Sequence, residues 1–302
     1  MRESLVDPAP RRLGSRSVGA LSFGCWRFTT RDIGEAGALL DTAVELGMNL
    51  VDTADVYGLD WNGTGFGSVE ELLGRVIAER PTRRDAMVLA TKGGIIPGIP
   101  YDSSPGALRA ALDASLRRLG VEHIDLYQVH RPDLFTHPEA LASTLRSFID
   151  SGRVSMVGVS NVTVAQTRAL RAHLGDALVS TQPEFSAAHL DPLRDGTFDL
   201  CMELGITPLA WSPLGGGRLL EDADPSVRTE LRLVLDELAT REGVSRACIA
   251  IAFVLAHPAR PIAIVGTQQP DRLHELTRAA QVHLDRTDLY RIIVASEGTP
   301  LP

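Results

Sequence analysis

Lysine is almost missing from this chain: of its 30 basic residues only Lys92 is a lysine, and the rest are arginines. The bias raises one question, why arginine is not used at position 92. Cysteine is scarce as well. Cys25, Cys201 and Cys248 are odd in number and far apart, and neither C-x-x-C nor H-E-x-x-H occurs. A disulfide framework and the usual zinc patterns are thereby excluded, and no metal is expected. No segment approaches the roughly 18 consecutive apolar residues of a membrane span. The opening MRESLVDPAPRRLG has no apolar run, so no secretory signal is expected, and a reducing cytoplasm fits best. Positive charge is in deficit, 30 basic against 38 acidic residues, for a net charge of −8. That argues against a nucleic-acid partner, though a local basic pocket for one phosphorylated ligand stays open.

What is present is ordinary for a globular protein: 302 residues, 44% hydrophobic and 23% charged. The length permits two domains of about 150 residues or one α/β barrel of about 250. No linker, low-complexity tract or charge block divides the chain, so one domain over 1–302 is expected.

Short apolar, β-branched runs fall at 20–23, 49–52, 87–91, 124–129, 155–159, 178–182, 207–211 and 261–265. Between them lie helical patterns at 35–46, 69–79, 105–119, 138–151, 164–174, 193–204, 226–241 and 245–256. Ser104-Pro105 has the form of an N-cap followed by proline at the first helical position. Gly47, Gly120, Gly152 and Gly205 stand just past helix ends, where a left-handed residue is wanted. Strand–helix alternation implies parallel strands with right-handed crossovers, and eight such units predict a closed (β/α)8 TIM barrel. An open doubly wound sheet is the alternative, but its G-x-G-x-x-G fingerprint is lacking. The first strand runs instead into Gly24-Cys25-Trp26. Long loops are expected at 60–68 and 93–106, on the rim where barrels build their sites.

Polar residues stand where strands end: Asp52, Lys92, His130, Ser160-Asn161, Gln182, Trp211-Ser212 and Gly266-Thr267. Side-chain alternation groups Leu50 with Asp52, Val88 and Ala90 with Lys92, and Leu126 and Gln128 with His130. Alternation alone does not tell which face is the barrel interior.

The run Val51-Asp52-Thr53-Ala54-Asp55-Val56-Tyr57-Gly58, then Lys92 and His130 at the ends of the next two strands, resembles the aldo-keto reductase tetrad. Gly158-Val159-Ser160-Asn161, Thr181-Gln182, Ala210–Gly215 and Val265-Gly266-Thr267 with Arg272 extend the resemblance over about residues 11 to 285. His130-Arg131-Pro132-Asp133 and Trp211–Arg218 are most like a bacterial branch of NADP-dependent oxidoreductases. The resemblance implies NADPH-dependent reduction of a small aldehyde or ketone. Tyr57 is then the general acid/base, Lys92 the neighbouring cation and Asp52 its anchor. His130 would hydrogen-bond the carbonyl oxygen. It further implies that Ser160, Asn161 and Gln182 hold the nicotinamide carboxamide and that Trp211 stacks on the ring. The turn Leu214–Gly217, with Gly216 in it, and Arg218 would close over the pyrophosphate, Ser212 would be a further cofactor contact, and Gly266, Thr267 and Arg272 would meet the 2′-phosphate.

The chain departs from the family pattern at Gly266 and Leu276, where many relatives carry Lys and Asn, which loosens the preference for NADP over NAD. The stretch from Tyr57 to Glu70 is longer than common, and with Trp26 its Trp61 and Phe66 are candidate substrate contacts. Two other functions stay open: a nicotinamide-binding regulatory subunit, and an unrelated barrel isomerase or lyase acting on a sugar phosphate.

The chemistry of the four residues can also be reasoned from first principles. A free tyrosine has a pKa of about 10, poorly matched to proton exchange near neutrality. A cation at about 4 Å, at an effective dielectric near 20, favours the phenolate by about 4 kcal/mol, so a depressed Tyr57 pKa is expected. Lysine is a compact point charge where arginine is a wide fork, which answers the question of position 92.

Overall fold

Within residues 3–301, which the computed structural model describes, every expected apolar run forms a strand. A short N-terminal hairpin, β1 (Arg11–Leu13) and β2 (Arg16–Val18), comes first. The strands β3 (Leu21–Gly24), β4 (Leu50–Asp52), β5 (Val88–Gly93), β6 (Ile124–Val129), β7 (Val154–Ser160), β8 (Leu178–Gln182), β9 (Thr207–Ala210) and β10 (Ile262–Val265) then pair in parallel. They close in the order β10-β3-β4-β5-β6-β7-β8-β9, the (β/α)8 barrel that the alternation predicts.

The crossover helices begin with α1 (Ile33–Glu45), α2 (Ser68–Glu79), α3 (Thr82–Asp85), α4 (Pro105–Leu119), α5 (Pro138–Asp150) and α6 (Val164–Leu174). They continue with α7 (Thr197–Leu204), α8 (Thr229–Glu242), α9 (Arg246–Leu255), α10 (Pro270–Thr277) and α11 (Arg286–Glu297). Local chemistry sets several ends. Ser104 accepts from the Ala107 N–H, and Thr163 and Gln166 form a reciprocal capping box. The four glycines past helix ends have φ of 84°, 64°, 73° and 64°. The helix expected from residue 193 starts only at Thr197. Asp191–Leu193 forms a 3-10 turn, and left-handed Gly196 (φ 84°) resets the chain before α7.

Alternation places two cores. Leu50, Val88, Ala90, Leu126, Met156, Leu209, Ile262 and Ile264 fill the barrel interior. Their alternate neighbours along each strand, among them Val51, Leu89, Tyr127, Val157 and Val265, face the helices in a second and larger layer. Asp52, Lys92, Gln128 and Ser160 share the parity of the interior set, so they project into the barrel at the carboxyl ends of their strands. The hairpin was not apparent in the sequence, because two three-residue strands with three arginines show no apolar run. Its Leu13 and Val18, fully buried, join the interior cluster and plug the amino-terminal end.

Candidate active site

At the opposite end the interior turns polar. Lys92, on β5, is fully buried. Its Nζ donates to Asp52 Oδ2 and to the Thr53 carbonyl, both at 2.7 Å, and to the Tyr57 hydroxyl at 3.3 Å. The other oxygen of Asp52 accepts from Gln182 Nε2 at 3.1 Å and Gln128 Nε2 at 3.3 Å. The carboxylate is thus fully engaged, as a buried charge must be. Tyr57 sits in the turn after β4, its ring edge-on to His130 with centroids 5.8 Å apart.

The electrostatics correct one expectation. Burial pushes the Tyr57 phenol upward, Lys92 pulls it down, and the net direction is up. The ammonium is paired with Asp52 at 2.7 Å, so Tyr57 faces a nearly neutral ion pair instead of an isolated cation. Tyr57 is therefore fully protonated at neutral pH. Burial holds the His130 imidazole well below its ordinary value, with Lys92 and Arg131 adding repulsion. It is neutral at pH 7.

These groups form one end of a cleft of about 1110 Å³. Trp26, Ser160, Asn161, Gln182, Trp211, Ser212, Leu214, Gly216, Gly266, Thr267 and Arg272 all line it, as do Asp52, Tyr57 and His130. Lys92 lies beneath its floor. Arg218, Trp61 and Phe66 do not line it. Arg218 turns back to the Gly215 carbonyl (2.7 Å) and Ser226 (3.1 Å). Phe66 lies against the Arg118 guanidinium, and Trp61 packs behind Trp26. Sequence reasoning missed Leu59, Asp60, Ile95 and Arg131, which also line the cleft. They sit in loops, where neither periodicity nor a strand end marks them.

The turn after β9 is tied down on both sides. Arg27 Nη2 donates to the Gly216 carbonyl at 2.7 Å, and Arg246 reaches the Leu219 carbonyl at 3.2 Å and Asp222 at 3.0 Å. Asn161 and Ser212 adopt left-handed φ of 56° and 50°. Trp211 Nε1 donates to Asn161 Oδ1 at 3.0 Å, which locks the indole and the amide together.

Behind the site lies a second buried carboxylate. The Asp55 N–H donates to the Lys92 carbonyl at 3.0 Å. Asp55 Oδ1 has no hydrogen-bond partner among the described residues. Burial, then the charge of Glu70, raises its pKa to about 8, with Arg118 and Lys92 opposing. In the unfolded chain it ionises near pH ~4. Between those limits the folded state binds more protons, so this group lowers stability as pH rises through the window. Asp55→Asn keeps the shape without the charge. Its melting temperature should exceed that of the parent at pH 8, with the gap closing toward pH 4. A gap independent of pH would show that Asp55 is not protonated in the folded protein.

The aldo/keto reductase family model matches residues 20–296. A 6-dehydroglucose reductase of Novosphingobium aromaticivorans is 44% identical over 308 residues, covering 100% of both chains. A second 6-dehydroglucose reductase, from Agrobacterium fabrum, is 30% identical, covering 93% of this chain and 96% of its own. Among solved structures, an aldo/keto reductase from Klebsiella pneumoniae in complex with NADP and acetate superposes with a TM-score of 0.80. It is 21% identical and covers 98% of each chain. The fold and the site define a barrel oxidoreductase. The chain belongs to the aldo/keto reductase family, and the reading as an unrelated sugar-phosphate isomerase or lyase falls.

Proposed function

We propose that the chain is one catalytic unit that reduces the carbonyl of a sugar-like aldehyde with NADPH. The observation that carries the mechanism is the chain of contacts from Asp52 through Lys92 Nζ to the Tyr57 hydroxyl, 2.7 and 3.3 Å long, at the floor of the cleft. Two relatives named for reducing 6-dehydroglucose support the substrate class.

The cleft suits the dinucleotide. It extends from Tyr57 to the amino end of α10, where Gly266, Thr267 and Arg272 gather. No side chain caps that helix end, but Pro270 has no N–H and the Arg272 N–H donates to the Gln269 carbonyl at 3.1 Å, so the Arg272 guanidinium would carry the phosphate contact. Ser160, Asn161 and Gln182 would hold the carboxamide, Trp211 would stack on the ring, and Ser212, Leu214 and Gly216 would cover the pyrophosphate. Gln182 commits its amide N–H to Asp52, which leaves its oxygen for the carboxamide. Arg218 would act through the turn it braces. When bound, NADPH is the source of hydride that no side chain provides.

The residues supply everything else. Tyr57, protonated at neutrality, gives its hydroxyl proton to the carbonyl oxygen. The Lys92 ammonium stabilises the phenolate left behind, and Asp52 keeps Lys92 in place. Neutral His130 donates a hydrogen bond to the same oxygen and orients it. A regulatory subunit with little turnover is the second reading, and it predicts binding without reduction.

The test is NADPH consumption at 340 nm with an aldehyde panel that includes 6-dehydroglucose. Turnover supports the reductase, and tight binding without turnover supports the regulatory reading. Arg272→Ala should weaken NADPH far more than NADH, since only the former carries the 2′-phosphate and a guanidinium matches it bidentately. Equal losses would remove Arg272 from that role.

A further inference from the structure

The rim beside Tyr57 holds an acidic group that the reaction does not use. Asp60 lines the cleft together with Trp26, Leu59, Ile95 and Arg131. Both of its carboxylate oxygens lie on the Trp26 indole N–H, at 3.1 and 3.2 Å. That single donor occupies little of the roughly four lone-pair sites of a carboxylate. The rest of its accepting capacity faces the cleft and solvent.

The segment carrying Asp60 is held in a costly conformation. Trp61 and Asn62 have φ of 54° and 65°, a region that side-chain-bearing residues avoid. Several contacts maintain it. The Gly63 N–H donates to the Asp60 carbonyl at 3.0 Å, and a Cβ at Gly63 would come within 2.2 Å of the Gly58 carbonyl oxygen. Thr29 Oγ1 donates to the Trp61 carbonyl at 2.8 Å. The Trp61 ring is edge-on to Trp26 at 5.3 Å, with the Arg27 guanidinium 4.0 Å from its centroid. Strain kept in place by this many contacts fixes the carboxylate at the rim.

We propose that Asp60 is a specificity-determining residue that accepts hydrogen bonds from the hydroxyl groups of a polyhydroxylated carbonyl substrate. The inference rests on the reductase reading above. A fixed anionic acceptor attracts hydroxyl donors through charge-assisted bonds. It repels substrates that are themselves anionic. An alkyl chain gains nothing from it and must desolvate it, so the group discriminates against apolar aldehydes. The apolar walls at Trp26, Leu59 and Ile95 fit the carbon skeleton, and Asp60 reads what the skeleton carries.

The experiment compares two six-carbon aldehydes, 6-dehydroglucose and hexanal, on the same preparation. The reading is the ratio of their kcat/KM values, in which any unfolded fraction cancels. Asp60→Asn, which keeps the shape and loses the charge, should lower that ratio about tenfold, the size of a lost hydrogen bond to a charged group. Asp60→Leu should lower it further, with the change carried by KM for the sugar. A ratio within a factor of about two of the parent in both variants, well under the tenfold step of a lost charge-assisted bond, would show that Asp60 only shapes the loop. A parent that reduces hexanal but not 6-dehydroglucose would overturn the specificity role while leaving the reductase reading intact. A parent that reduces neither would overturn both.

Discussion

Replacing Tyr57 with phenylalanine should lower turnover by about 10² to 10⁴, the usual contribution of a positioned general acid, while cofactor affinity persists. The substitution removes one oxygen and little volume. That oxygen accepts from Lys92 Nζ at 3.3 Å, and the ammonium keeps its two shorter bonds to Asp52 and the Thr53 carbonyl. Folding should be nearly unaffected. Because burial holds the phenol above its ordinary value, the parent should run the reduction without loss toward neutral pH and decline only in alkali, as the donor ionises. Cofactor binding is followed by quenching of tryptophan emission and turnover at 340 nm. Retention of most activity by Tyr57→Phe would mean that another group protonates the substrate.

Lys92→Met should have the second large effect, and it should act on stability as well as on rate. The ammonium is fully buried against Asp52. Its removal leaves a carboxylate buried with only two amide donors, and breaking such a pair costs about 3–5 kcal/mol. Lys92→Met combined with Asp52→Asn removes both charges. The double variant should recover most of the lost melting temperature and none of the turnover, which separates the structural part of the pair from the catalytic part. Lys92→Arg keeps the charge but places a planar fork where the surroundings close completely around one compact head, so it should rescue only partly. Full turnover in the double variant would show that this ion pair is structural alone.

Much of the barrel was legible in residue order. Eight apolar runs and their intervening amphipathic stretches reappear with ends shifted by at most four residues, because burial on both faces of a parallel strand leaves a continuous apolar signature. The exceptions share a cause. The hairpin Arg11–Val18 buries only Arg11, Leu13 and Val18 of its two very short strands. The α7 start depends on the Gly196 conformation. Neither leaves a periodic trace. Asp52, Lys92 and His130 were legible too, since polar groups at the ends of apolar strands stand out, and Tyr57, in the turn after β4, was legible through its spacing from Asp52. Asp60, Ile95 and Arg131 were not, because a loop residue acquires its neighbours from contacts far along the chain. Asp60 meets Trp26 across 34 positions.

The sequence by itself determined the eight barrel strands, the parity groups and the set of polar residues at one end of those strands. Those follow from local rules: side chains alternate along a strand, and apolar runs seek burial. Which parity group faces inward was decided only when the strands closed, for closure alone distinguishes the Leu50–Ala90–Leu126 interior from the Val51–Leu89–Tyr127 layer under the helices. The acidity of Tyr57 was decided there as well. Sequence placed a cation near a phenol, but the tertiary structure set Asp52 at 2.7 Å from that cation and buried all three. Electrostatic energy depends on distance and on the surrounding medium, and residue order specifies neither.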